Sequence, residues 1–73
     1  MMAQCEKVLS HLMRHGSITP QDAYTRYGIM RLGARIYDLR SRGNRIDTTW
    51  EESPNRYGET TRYARYVYKG PEP

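Results

Sequence analysis

The sequence predicts an α+β fold, three helices followed by a two-stranded β-hairpin, and three observations predict it. Apolar residues recur at helical spacing through the N-terminal half. Glycines at 16, 28 and 43 divide that half into three segments, the second opened by Thr19-Pro20. After Gly43-Asn44 the pattern switches from helical spacing to strict alternation, the mark of a half-buried strand. A chain of 73 residues is one domain, residues 1–73, with an ordered core expected over about 4–68 and a tail, 69–73, expected to fray.

The first helix is expected over residues 3–15. Cys5, Val8, Leu9, Leu12 and Met13 form its apolar face, while Gln4, Glu6, Lys7, Ser10, His11 and Arg14 fall on the others, and Gly16 is a natural C-terminal cap. Ser17-Ile18 is too short to stand alone but suits a third edge strand of a small sheet. Thr19 can cap the second helix, expected over 20–26, with Pro20 in its first turn, Asp22 at its positive end, and Ala23 and Tyr27 inward. Gly28 permits a reversal. The third helix is expected from Met30 to Arg42, with Leu32, Ile36 and Leu39 facing the core. Gly33 costs it about 1 kcal/mol relative to alanine, so a close approach by a neighbour is expected there. Residues 45–50 form a strand with Ile46, Thr48 and Trp50 on one face, 51–59 a polar loop, and 61–68 a strand rich in tyrosine.

Composition narrows the function. The formal charge is +4, and ten of the twelve cations are arginine, whose planar fork of donors suits phosphates and guanine edges. A domain this small has little room for a buried catalytic pocket. No serine–histidine–carboxylate set, phosphate-binding glycine loop or metal-binding acidic pair is visible, so a non-enzyme with no cofactor and no metal is expected. Cys5 is the only cysteine, which points to a reducing compartment. The first residues show neither a basic leader nor an apolar run, and no stretch has the apolar length to span a membrane; the expected location is cytoplasmic.

The charge is concentrated. From Arg26 to Arg45 there are six arginines against one carboxylate, Asp38. Two helices joined by a tight glycine turn, the second of them basic, is the geometry that fits a helix into a DNA major groove. With the hairpin added, the element order is that of a winged helix-turn-helix. The chain resembles the small winged helix-turn-helix domains common in bacteriophage and prophage genomes. The resemblance is carried by Ser17-Ile18-Thr19-Pro20 with Ala23, by Tyr27 to Leu32, by Ala34-Arg35-Ile36 with Asp38-Leu39-Arg40, and by Gly43, Ile46 and the last aromatic strand. It covers nearly the whole chain, from about Gln4 to Tyr68. Two features depart from the pattern: Ala23 and Gly28 stand five apart rather than four, and the wing carries Glu51, Glu52 and Glu59.

Candidate DNA contacts follow from position. Arg31, Ala34, Arg35, Asp38 and Tyr37 are placed to face bases, as the N-terminal half of a recognition helix does. The competing account pairs Asp38 with Arg31, Arg35 or Arg42 along the helix surface. Arg42 and Arg45 suit phosphates, and Arg40 is expected on the protein side. At the wing, Asn55 and Arg56 form the tip, either reaching a groove or phosphate or closing a solvated turn, and Arg62 is a further phosphate candidate. Thr19 and Gln21 open the second helix, whose amides suit phosphate; capping explains Thr19 as well. The seven tyrosines and absent phenylalanine suggest a stacking platform for single strands, but Tyr63, Tyr66 and Tyr68 split across both faces of their strand, which favours packing. His11 and His15 have a spacing that metal ligands use, yet nothing nearby completes a site, so both are expected in solvent.

Two functions are carried forward. The first is sequence-specific binding of double-stranded DNA by a phage-type transcription regulator or recombination accessory factor, with a homodimer on paired half-sites. The second, motivated by the acidic wing and short length, is an interaction module that binds a host protein and inhibits or recruits it.

Overall fold

The computed structural model describes residues 3–71. In chain order it has α1 (Gln4–His15), β1 (Ser17–Ile18), α2 (Pro20–Tyr27), α3 (Leu32–Ser41), β2 (Asn44–Pro54) and β3 (Thr60–Pro71). The three helices and a three-stranded antiparallel sheet, ordered β1-β3-β2, make an α+β winged helix-turn-helix. Ser17-Ile18 does form the third strand, paired with Val67 and Tyr66 of β3.

Each helix stops for a local reason. Gly16 takes a left-handed conformation and its N–H returns to the carbonyl of Leu12 at 2.8 Å, closing α1. At α2, Thr19 and Asp22 form a complete capping box, each side chain accepting the other's backbone N–H. Gly28 ends α2 with φ 68°; its N–H bonds the Tyr24 carbonyl, the bond of an αL cap, and the N–H of Ile29 bonds the Ala23 carbonyl. α2 therefore reaches Tyr27, one residue beyond expectation. α3 starts two residues later than expected, at Leu32, because Arg31 has φ −117° and ψ 62° and stands outside the helix. It ends one residue early, at Ser41, with Arg42 as the cap.

One core joins the layers. Val8 and Leu12 of α1, Ile18, Ala23, Ile29, Leu32, Ile36 and Leu39 of α3, and Ile46 are buried together, and Tyr27, Tyr66 and Tyr68 pack against them. Full burial of such an aliphatic side chain is worth about 1.5–3 kcal/mol, which is how so small a core sustains the fold. Ile29 was not expected inside; it follows the Gly28 reversal, which turns it back on the helix, its N–H bonded to the Ala23 carbonyl. Two assignments on α1 are corrected. Met13 is 66% exposed rather than core-facing, and His11 is 4% exposed rather than in solvent. His11 is tolerated because its Nδ1 lies 2.8 Å from the Tyr27 hydroxyl, so its polar atom is satisfied.

The hairpin is longer than its alternation suggests. Glu51 to Pro54 continue β2 instead of starting a loop, and Lys69 to Pro71 continue β3 instead of fraying; residues 72–73 lie outside the described residues. Facing pairs run from Ile46–Tyr68 out to Pro54–Thr60, with an irregularity between Arg45 and Ile46. Ile46 alone of Ile46, Thr48 and Trp50 is buried; Thr48 meets the Arg40 side chain and Trp50 that of Arg62 instead.

Candidate nucleic-acid interface

The core fixes which side of α3 is outward. With Leu32, Ile36 and Leu39 buried, Ala34, Tyr37 and Ser41 lie on the opposite side, preceded by Met30 and Arg31 in the turn. Tyr37 is 72% exposed and Met30 is 82% exposed. The side chain of Arg31 makes no hydrogen bond or ion pair among the described residues. α3 also begins without a side-chain cap and without an acid in its first turn, in contrast to α2. Its free amides and the positive dipole end therefore stand beside Arg31.

The two flanks of α3 are committed to the protein. Toward the sheet, the Arg40 guanidinium donates to the Ile46 carbonyl from Nε at 2.9 Å and Nη2 at 2.6 Å, and to Thr48 Oγ1 at 3.0 Å. Arg40 thus holds β2 to α3, on the protein side. Toward α1, Arg35 and Asp38, both expected to face bases, are held together at 3.4 Å. Arg35 Nη1 also donates to Gln4 Oε1 at 3.2 Å, and Cys5 Sγ lies 3.7 Å from the other end of the contact, Asp38 Oδ2. Arg35 Nε is buried without a partner. Gln4 is the residue that sequence reasoning missed here, and nothing in the local pattern signals it, because it arrives from the first helix.

At the wing, Asn55 shapes the turn. Its Oδ1 accepts from the N–H groups of Tyr57 at 2.9 Å and Glu59 at 3.1 Å, and its own N–H donates to the Glu59 carbonyl at 2.7 Å. Arg56 is left exposed at the tip next to Tyr57, which is 79% exposed. On the sheet face shared with Ile46, the Arg62 guanidinium lies 5.0 Å from the ring of Trp50, a cation–π contact. Trp50 is 60% exposed and was expected only as a strand residue. On the other face, Glu51 accepts from Arg65 Nε at 2.9 Å, and Arg65 also reaches Ser17. The Arg65 and Tyr63 side chains hold the Glu51 carboxyl below its ordinary pKa, and Glu51 in return raises Arg65. One of the three wing glutamates is therefore neutralised within the sheet.

The remaining candidates sort by neighbour. Thr19 is buried and serves the capping box, and the Asp22 carboxylate occupies the same helix end; Gln21 beside it is exposed. Arg42 is exposed at the C-terminal cap of α3. Arg45 is exposed and reaches the Lys69 carbonyl at 3.4 Å. His11 stacks with His15 at a centroid distance of 4.5 Å; burial first, and then the His15 charge, lower the His11 pKa below its ordinary 6.5. No group of three or more His, Cys, Asp or Glu among the described residues is arranged to hold a metal ion. No helix among them is long and apolar enough to cross a membrane.

The chain matches the family model of the winged helix-turn-helix domain over residues 3–69. Comparison with curated proteins gives no match, nor does comparison with solved structures. Domains of this family are in general DNA-binding modules and typically carry no catalysis of their own, and the match bears on fold and family rather than on a phage or prophage source. With its helix-turn-helix, its hairpin wing and a family match that runs almost end to end, the chain belongs to the winged helix-turn-helix domain family.

Proposed function

We propose that this domain binds double-stranded DNA sequence-specifically, with α3 in the major groove, as a transcription regulator or recombination accessory factor. The observation that carries the proposal is the outward side of α3, where Arg31 and Tyr37 are exposed on either side of the half-buried Ala34, beside an uncapped helix start. In this reading Arg31 and Tyr37 reach base edges, and Ala34 permits close approach or meets a thymine methyl. Arg42, Arg45, Arg56 and Arg62 take phosphates, with Gln21 a further backbone contact. Arg35 and Asp38 set the angle of α3 on α1 and reach bases only by leaving those partners. Thr19 and Asn55 act through the conformations they hold, a helix start and a wing turn.

The test is a Trp50 fluorescence or gel-shift titration against pooled duplexes at two salt concentrations. Four phosphate contacts give a log–log salt slope of about −3.6, so affinity falls roughly a hundredfold between about 50 and 200 mM salt. Wild-type affinity in Arg31→Ala, or an affinity indifferent to salt, sinks the proposal. A second reading, docking on a host protein, is favoured by the wing: Asp47, Glu52 and Glu59 are exposed and form no ion pair among the described residues. Capture of one stoichiometric protein partner, with no duplex binding, selects that reading instead.

A further inference from the structure

Among the described residues, none covers the outward face of α1. Cys5, Val8, His11 and Leu12 turn into the core, and the opposite side presents Glu6, Ser10, Met13 and Arg14 around a shallow depression, bordered by Leu9, which itself packs against the core. Met13 is largely exposed there and Leu9 is half-buried. Glu6 and Arg14 lie at the two ends, roughly 12 Å apart along the helix, and neither forms an ion pair among the described residues. The helix dipole accounts for an acid in the first turn and an arginine in the last. It does not account for the exposed Met13 between them or for a small residue at the midpoint.

The pattern is self-complementary. Ser10 stands four residues from each charge, so turning the helix end over end about Ser10 puts Glu6 where Arg14 was and Arg14 where Glu6 was. We propose that α1 pairs antiparallel with α1 of a second copy of this chain, about a two-fold axis near Ser10. Glu6 of each copy meets Arg14 of the other, and the Leu9 and Met13 side chains fill the space between. Glu6, Ser10 and Arg14 make one ridge of the i±4 type, and two such ridges run alongside each other when helices cross at about −50°, the commonest packing. Ser10 lets the backbones approach, and the antiparallel sense sets opposite dipole ends side by side.

The charge pattern also selects the occupant. A uniformly acidic partner meets Glu6 and a uniformly basic one meets Arg14, whereas a second copy satisfies both at once. Such an isologous contact closes on itself and stops at two copies. A single short helix face lies below the area of a strong interface, so the pair forms at high concentration or when two copies are held side by side. The outward faces of α1 and α3 both turn away from one shared core, which leaves α3 and the wing free in the pair. The inference does not depend on DNA binding.

Sedimentation velocity on the whole chain, from about 10 μM to about 1 mM, tests it. The wild-type weight-average coefficient rises toward the dimer value across that range. Glu6→Arg and Arg14→Glu each weaken association about tenfold or more, because both symmetry-related pairs turn repulsive. An equimolar mixture of the two variants restores association, since the charges again match across the pair. The chain carrying both reversals associates like wild type and decides the matter if either single variant loses its helical circular dichroism. A wild type that stays monomeric at the top concentration overturns the proposal. So do single variants that associate as wild type does, or a mixture or doubly reversed chain that stays monomeric.

Discussion

Gly33 is in the first turn of α3, and its substitution by alanine separates folding from function. An added Cβ meets only the Tyr66 hydroxyl, at 3.8 Å, an ordinary van der Waals distance. Gly33 is absent from the positive-φ glycines, so alanine adopts its backbone without strain. The packing therefore gives no reason for glycine, while the helix loses about 1 kcal/mol by having it in its interior and somewhat less near an end. Gly33→Ala is expected to raise stability by about 0.5–1 kcal/mol, or about 2–8 °C in melting temperature for a domain of this size. Urea unfolding with an unchanged slope measures it. If α3 enters the major groove as proposed, the same methyl, on an exposed helix start, is expected to weaken duplex binding about tenfold, near 1.4 kcal/mol. A destabilised variant refutes the spatial argument. A stabilised variant with wild-type affinity refutes close approach of DNA at this turn.

Three further outcomes follow from how individual side chains are held or left free. Arg31→Ala should cost about 1–3 kcal/mol of duplex binding and leave the urea midpoint almost unmoved, whereas Arg35→Ala, which loses Gln4 and Asp38, should cost about 1 kcal/mol of stability and less affinity; the reverse ranking contradicts the roles given to them. Arg40→Ala removes the hydrogen bonds to Ile46 and Thr48 and should cost about 1–2 kcal/mol, with faster amide exchange at the start of β2 than elsewhere; uniform exchange argues against a local clamp. Because the folded-state pKa of His11 is lowered, its contribution to stability is fully present above the ordinary value of 6.5 and is lost as pH falls below it through the folded pKa. Urea midpoints at successive pH values should drop over that window in wild type, and His11→Gln should flatten the drop; an unchanged slope in His11→Gln assigns it to other groups.

What was legible in the chain was what is encoded locally. The bounds of α2 follow from Thr19-Pro20 and Gly28, whose capping geometry needs only near neighbours. The three-residue-class pattern of Leu32, Ile36 and Leu39 orients α3 correctly, and the protein-side position of Arg40 follows from it. Ser17-Ile18 was readable as a short extended pair because a helix cap on each side, Gly16 and Thr19, sets it apart from both helices. Two of the failures are of distant origin. Arg35 is held by Gln4, on a helix remote in sequence, and a charge pattern along α3 carries no trace of that. His11 is polar by type but is matched by a tyrosine from α2, so hydropathy assigns it to solvent. The outer wing has two exposed faces, and with nothing to bury, its residues show no alternation from which a strand could be read.

The order of the sheet has a consequence for how the chain folds. β3 lies between β1 and β2, yet it follows every other element in the sequence. Ser17 waits for Val67, Ile18 for Tyr66, and the Gly16 carbonyl for the N–H of Tyr68. The helices rest on neighbouring residues and form quickly, but the β1–β3 seam closes the long loop from Ser17 to Val67, and that closure is entropically costly until it is made. Until then β1 has no strand beside it, and the apolar face that Tyr66 and Tyr68 cover is open. Native topology thus makes the strand at the centre of the sheet the one that commits the domain to its fold.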